Sequence, residues 1–468
     1  MTEQLPRGCI TTLAIIFLAA LIDGLDVSIV TVSLPTMAGE FGISLSDSSW
    51  IVFAYVAGLA AMLLPMGKFA KNGRVRVFMI AGTAMFGISS LACGLSREYW
   101  LLILFRLIQG ISAAMMSSVL PSMVVHMLPA DRKGLGMSVM GASSGLALIL
   151  GPVLGGTIAD NFDWGWLFFI NVPICLVIIT LSVVHIPKDR EKDPEKDPTL
   201  LGGVSAMLLI GSLLAILEDF GDPDINQIGR IVCGCIAVPS AALLVWSVKR
   251  DANRAVISPR ILRNREFVTV GIAFMLCTIV VAGGEYLLPY MLQGYWNLGP
   301  LESGLYLSAM SVAMVLLVLP VGRMCDRYGC KWPSAAAPIL RGLFCAIMIF
   351  LTIEGCEPLM LLIPLVIFGA SHAFSGTAQP TRMIHHATPG YEDESTNFML
   401  VVNYVASALG CVIFAMLFSL YAGSGMSGIN AEELKAGFVP VMWFSIIILA
   451  IALVCTLSVR NIVVKAKD

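Results

Sequence analysis

Apolar runs about twenty residues long recur along the whole chain, separated by short polar segments, and no other feature restricts the fold as strongly. Such a run matches the ~20 residues that an α-helix needs to cross a hydrocarbon core. Backbone amides inside a bilayer must find partners within the protein, which leaves helices or closed barrels. Long uninterrupted runs are unlike the short alternating segments of a barrel. The runs place spans at 11–34, 48–66, 75–95, 99–128, 134–158, 165–186, 200–217, 227–248, 267–290, 303–321, 333–352, 358–380, 396–421 and 437–459, fourteen in all. Of 468 residues, 57% are hydrophobic and 13% charged, against roughly 25% charged in soluble domains. The expected fold class is an all-α polytopic membrane protein. The first run carries Asp23 and Asp26 and lacks a small-residue cleavage site, so it reads as a span and not as a signal peptide.

Basic residues orient the spans. With the N-terminus in the cytoplasm, 24 of the 29 Lys and Arg fall on inner segments. Arg97, Arg230 and Lys435 fall outside, and Arg106 and Arg341 lie within spans. This asymmetry favours an even span count and two cytoplasmic termini, in a multi-pass protein of the cell membrane. The stretch KDREKDPEKDP at 188–198 cannot bury apolar area and reads as a solvated loop. The expected organisation is a six-helix bundle at 1–187, a cytoplasmic loop at 188–199, an inserted two-helix hairpin at 200–248, a cytoplasmic linker at 249–266 and a second six-helix bundle at 267–468. Cys93, Cys175, Cys233, Cys235, Cys277, Cys345, Cys411 and Cys455 sit in apolar runs and read as small buried hydrophobes. No metal-ligand spacing occurs, and no cofactor is expected.

Two inner loops resemble each other: GKFAKNGRVR at 67–76 and GRMCDRYGCK at 322–331. Their first glycines, Gly67 and Gly322, are 255 residues apart, six spans plus the inserted pair, which suggests a parallel repeat. Gly73, Arg74, Asp326, Arg327 and Gly329 complete the two loops.

Taken with LDVSIVTVSLP at 25–35, RLIQG at 106–110, GASSGLALILGPVLGG at 141–156, DWGWLFFINVP at 163–173 and SPRILRNREF at 258–267, these loops make the chain resemble the major facilitator superfamily. The likeness is to its fourteen-helix drug:proton antiporter branch and covers essentially the whole chain. The resemblance implies two pseudo-symmetric six-helix bundles that rock about a central cavity. It also implies proton-coupling roles for Asp26 and Arg106, and an antiporter motif in the fifth span. One departure is plain: the first loop has Lys71 and Asn72 where the second has Asp326 and Arg327.

Ionisable residues in hydrocarbon are costly, and so mark function by default. Asp23 and Asp26, three apart, share a face of the first span. They read as reversible proton sites, or else as permanent partners of Arg106. Arg106, Gln109, Gly110, Ala113 and Ser117 form one stripe of the fourth span. Gly141, Gly145, Gly151, Pro152, Gly155 and Gly156 give the fifth a kinked packing face, which in the resembling branch seals the interface between the halves. Glu285, Gln109, Arg341, His372, Gln379 and Asn403 are candidate cavity residues, or alternatively partners of neighbouring helices.

No phosphate-binding loop or catalytic constellation is present, which argues against an ATP-driven pump and against an enzyme. The leading expectation is a proton-coupled exporter of lipophilic cationic compounds, a monomer whose partners are a small-molecule substrate, protons and the bilayer, with no nucleic acid. The alternatives are an exporter of an anionic or zwitterionic metabolite or lipid, and a transporter-like sensor.

Overall fold

The computed structural model describes residues 7–71, 74–129, 133–189, 263–387, 392–422 and 431–461, together with residue 261 and short pieces between 204 and 246. Its main helices are α1 (Arg7–Phe41), α2 (Leu45–Lys71), α3 (Val75–Leu95), α4 (Tyr99–Met127), α5 (Lys133–Asn161), α6 (Trp166–His185), α7 (Arg265–Tyr290), α8 (Pro300–Tyr328), α9 (Lys331–Glu354), α10 (Leu362–His385), α11 (Glu392–Ala422) and α12 (Ala431–Ser458). Among the described residues there is no strand. Eleven of these helices are long and apolar enough to cross a membrane, and α2 contributes a shorter apolar stretch, Asp47–Leu63. The spans expected at 200–217 and 227–248 lie mostly outside the described residues. A helical stretch at Gly234–Leu243 falls within the second of them.

Helix ends follow ordinary capping chemistry. Asn264 caps α7, its side chain accepting from the Phe267 amide at 3.2 Å while its own amide donates to the His386 carbonyl at 2.8 Å. Pro300 opens α8, where a missing N–H does no harm, and Glu302 accepts from the Gly299 amide at 3.3 Å. Gly329, at φ +80°, ends it.

The chain divides into two compact units. Of the described residues, the first holds those up to Ser33, from Trp50 to Ser212 and from Cys235 to residue 246; the second holds Leu34–Ser49, Gly234 and those from 261 onward. Within the second unit, Ser48 Oγ lies 2.9 Å from the Tyr286 hydroxyl and 2.6 Å from that of Tyr290.

The repeat foreseen from the two loops extends into helix packing. In the first unit α3 packs on α4 and α6, and in the second α9 packs on α10 and α12. The closest approaches are matched too. A Cβ on Gly110 of α4 would collide with the Tyr55 carbonyl of α2, and one on Gly369 of α10 would collide with the Met310 carbonyl of α8. A Cβ on Gly155 of α5 would lie 2.6 Å from the Ile29 carbonyl of α1, and one on Gly410 of α11 would strike the Ile279 carbonyl of α7. Tyr55 and Met310 stand 255 residues apart, as do Gly155 and Gly410 and the two loop glycines. Small residues let the backbones meet where no hydrophobic force separates helix from lipid.

The repeat also has a shared capping device. Asp189, just past α6, accepts from the Arg76 and Val77 amides at the start of α3, at 2.8 and 3.1 Å. Asn461, just past α12, accepts from the Lys331 amide at the start of α9 at 3.2 Å and donates to the Tyr328 carbonyl at 3.0 Å. Asp189 belongs to the charged run expected to be a solvated loop. It is docked instead, because the orphan amides and positive end of α3 attract a carboxylate.

Among the named cysteines, Cys93, Cys175, Cys277, Cys345 and Cys411 are buried thiols. Cys235 departs from the expectation and is exposed, Cys455 is half-buried, and Cys233 lies outside the described residues.

Candidate functional site

The first unit gathers the charged residues of its spans into one buried cluster. Asp26 on α1 and Arg106 on α4 form an ion pair at 2.5 Å with neither side chain exposed. The same Nη1 donates to Gln109 Oε1 at 2.8 Å, and Arg106 Nε donates to the Ile51 carbonyl at 2.8 Å. The guanidinium lies over the Tyr55 ring, 4.5 Å from its centroid. The other oxygen of Asp26 accepts from Gln109 Nε2 and from Asn171 Nδ2, each at 2.8 Å, and Gln109 also donates to Ser90 Oγ at 2.8 Å. The Asp26 carboxylate therefore has three donors. The stripe read on the fourth span is correct in its direction, since Arg106, Gln109 and Ser117 all reach the aspartates of α1.

Asp23, one turn earlier, is in a different environment. It is partly exposed. It accepts from the Tyr55 hydroxyl at 2.6 Å and from Ser117 Oγ at 3.0 Å, both uncharged donors. Asp26 is thus an immobilised counter-ion, and Asp23 is a half-buried residue whose two carboxylate oxygens each accept from one hydroxyl.

Beside this cluster α1 is clamped to α5. A Cβ on Gly24 would lie 2.9 Å from that of Ala147, and Ser33 Oγ donates to the Gly155 carbonyl at 3.2 Å. Gly151 lies against Ser28, and Pro152 and Gly156 are buried with it. Gly151 and Gly155 therefore meet a helix of their own unit. A Cβ on Gly141 would meet nothing within 4 Å, so this glycine takes no part in the clamp.

In the second unit the candidate residues separate into two groups. Arg341 on α9 is fully buried and donates to the Cys277 carbonyl at 2.9 Å, to Ser371 Oγ at 3.2 Å and to Ser375 Oγ at 3.0 Å. Gln379 is also buried, donating to Cys277 Sγ at 3.2 Å. Together with Gln109, these two were expected to line a cavity, and all three sit inside helix packing. Glu285 on α7 and His372 on α10 form the second group, with Oε1 and Nδ1 3.4 Å apart and side chains 30% and 23% exposed. Asn403 is half-buried, its carbonyl accepting from Ser407 Oγ at 2.9 Å.

Of the loop residues, Gly67 has open space around it and Arg74 is the N-cap of α3. A Cβ on Gly322 would reach only Thr377 Cγ2, at 4.0 Å, and Arg327 is exposed over the Tyr328 ring. Gly73 and the side chain of Asp326 lie outside the described residues.

The residues that sequence reasoning missed are Tyr55, Ser90, Asn171 and Asp189. Asn171 carried a signal, because an amide within an apolar span requires a buried partner.

A family profile described as the Major Facilitator Superfamily matches residues 16–415 and 274–467. The chain belongs to this superfamily. It is accordingly a multi-pass membrane protein of a transporter family. It is 28% identical over 416 residues to the riboflavin transporter RibZ of Clostridioides difficile, covering 87% of this chain and 88% of that protein. It is 30% identical over 319 residues to the multidrug export protein EmrB of Haemophilus influenzae, covering 65% of this chain and 60% of that protein. Among solved structures it is similar to a POT family transporter in complex with 5-aminolevulinic acid, with a TM-score of 0.73, 14% identity and 98% of each chain covered. That likeness shows the fold alone.

Proposed function

We propose that this superfamily member is a proton-coupled exporter of lipophilic cationic compounds, exchanging cytoplasmic substrate for external protons by alternating access. In this reading it is a monomer in the cell membrane, with both termini cytoplasmic and a two-helix hairpin between its six-helix halves. The observation that carries it is the pair of aspartates on one face of α1, one fully buried in an ion pair and one half-buried with neutral donors only. The similarity to multidrug export proteins supports the substrate class.

The aspartates divide the work. Sequence pattern put the proton step on Asp26, but three donors, one of them the ion-paired Arg106, hold that carboxylate. Asp23 is half-buried and has only two neutral hydroxyl donors and no ion pair in contact, which favours Asp23 as the group that exchanges a proton for a cation. Arg106 and Asp26 fix α1 against α4 so that Asp23 is presented beside Tyr55 and Ser117. Differential affinity of the two states for proton and substrate then drives exchange.

The test is pH-gradient-driven uptake into inverted vesicles. Asp23→Asn should abolish uptake of a cationic substrate while retaining membrane expression. Full uptake by Asp23→Asn, with loss in a correctly folded Asp26→Asn, would return the proton step to Asp26. A second reading, export of a neutral or anionic metabolite, is supported by the similarity to a riboflavin transporter over 88% of that protein. In that case uptake of such a compound, and not of cations, would follow the gradient.

A further inference from the structure

The second unit holds a titratable pair that the cycle above does not use. Glu285 Oε1 and His372 Nδ1 are 3.4 Å apart, and both side chains keep an accessible face. Arg341, a fully buried cation of the same unit, makes its hydrogen bonds to a carbonyl and two hydroxyls and to no carboxylate. With a neutral imidazole, the Glu285 carboxylate is free on its open face. With an imidazolium, it already has a contact partner.

We propose that Glu285 and His372 form an organic-cation site in which a proton on the imidazole and a bound cation exclude one another. Imidazole is the side chain whose ordinary titration falls between pH 5 and 8. The imidazolium would be the protein's own cation at Glu285, and a substrate ammonium or phosphonium arriving there would meet a like charge within contact range. Arg341 cannot take part by moving, since its donors are engaged and it is wholly buried, and its fixed positive charge makes two further cations beside one carboxylate still less favourable. An anion is the poorer fit, because the accessible charged oxygen belongs to Glu285.

The groups facing the pair from the packed helices are few. Besides Arg341 of α9, α11 carries Tyr404 and Cys411 in its middle, with Glu392, Asp393 and Glu394 at its start and Tyr421 at its end. In α8, Glu302 and Tyr306 lie near one end and Arg323, Asp326 and Arg327 near the other, with no ionisable residue between. In α12, Glu432, Glu433 and Lys435 lie in the first turns and Cys455 near the end, again with none between.

The inference deepens the cation-exporter reading and rests on it for the ligand class, but its test needs no gradient. Binding of tetraphenylphosphonium to the purified full-length protein is measured from pH 5.5 to 8.5. The expected result is affinity that weakens with acidity by up to about tenfold per pH unit, the limit for one proton exchanged per cation. His372→Gln should flatten that dependence while binding persists, and Glu285→Gln should weaken binding at pH 8.5. His372→Asn and Glu285→Asp, checked by gel filtration, stand in if either first variant does not fold. An unchanged pH slope in both His372 variants would overturn the exclusion, and undiminished binding by Glu285→Gln would overturn the site. If no binding occurs at any pH the site is overturned. Gradient-driven uptake of the same probe by wild-type vesicles then decides separately whether cation export stands.

Discussion

Replacing Asp26 by Asn tests whether the buried pair is structural. The carboxylate accepts from Arg106, Gln109 and Asn171, and an amide of the same shape offers one accepting oxygen and an NH2 group that must face one of those donors. Arg106 would keep the Ile51 carbonyl, the Gln109 oxygen and the Tyr55 ring, but lose its counter-ion. Removing one partner of a buried pair costs about 3–5 kcal/mol. The remaining contacts of Arg106 put the expected loss near the lower end, about 3 kcal/mol. Arg106→Gln should cost a similar amount, whereas the double variant leaves no unpaired charge and should recover about 2 kcal/mol of the summed losses. Asp23→Asn gives up two hydrogen bonds from neutral hydroxyls, so it should cost about 1 kcal/mol. The assay is thermal unfolding in detergent, followed by tryptophan fluorescence and by retention of the monodisperse peak. Asp26→Asn unfolding together with wild type, or losses that simply add in the double variant, would refute the assignment of Asp26 as an immobilised counter-ion.

The glycine clamps should respond by position: Gly110→Ala and Gly369→Ala each place a methyl against a backbone carbonyl and should lose about 1–3 kcal/mol, while Gly141→Ala and Gly342→Ala, with nothing nearby, should unfold with wild type. Gly155→Leu should push α5 from α1 and uncouple proton flux from export with expression retained, and normal exchange in a well-expressed variant would reduce the clamp to ordinary packing. Asp189→Ala removes the acceptor of two α3 amides and should cost about 0.5–2 kcal/mol, read as a lower unfolding temperature, with Asn461→Ala showing a smaller effect because it caps one amide. On a cysteine-free background, Asp193→Cys should be labelled only from the cytoplasmic side and Asp222→Cys only from outside; the reverse at either site would remove the fourteen-span arrangement.

Much of the architecture is written in hydropathy, because a helix in a bilayer must be apolar over a fixed length, and the lengths of α3, α4 and α6 follow the runs closely. The repeat is readable in two loops, but its deeper register is not. Gly110 and Gly369 occur in different local sequences, and only the backbone shows that each meets a carbonyl of the helix two before it. The stripe Arg106, Gln109 and Ser117 pointed to α1 correctly, since 3.6-residue periodicity fixes which side chains share a face. Periodicity cannot distinguish a face that lines open space from one pressed into a neighbour, so Gln109, Arg341 and Gln379 read as cavity residues and are buried. Asp189 was hidden for the opposite reason. A carboxylate in a charged run looks solvated until the start of another helix is seen beside it.

The two units differ most in how they neutralise a buried arginine. Each leaves one without exposed surface, Arg106 on α4 and Arg341 on α9, at positions the repeat does not relate, and the second unit also buries Arg382 of α10 against the Thr456 and Val459 carbonyls. In the first unit the arginine has a carboxylate in contact, and the second aspartate of α1, Asp23, is held by hydroxyls alone. In the second the contacts of Arg341 are a carbonyl and two hydroxyls, so its charge has no carboxylate at hydrogen-bond distance, and the accessible carboxylate is Glu285, facing an imidazole. Both arrangements leave, on the same unit as a buried arginine, one carboxylate that is not paired with it. The repeat supplies the scaffold twice, and the departures from it, Asp23 with its hydroxyl donors and Glu285 with His372, are the groups on which the proposed exchange of proton for cation rests.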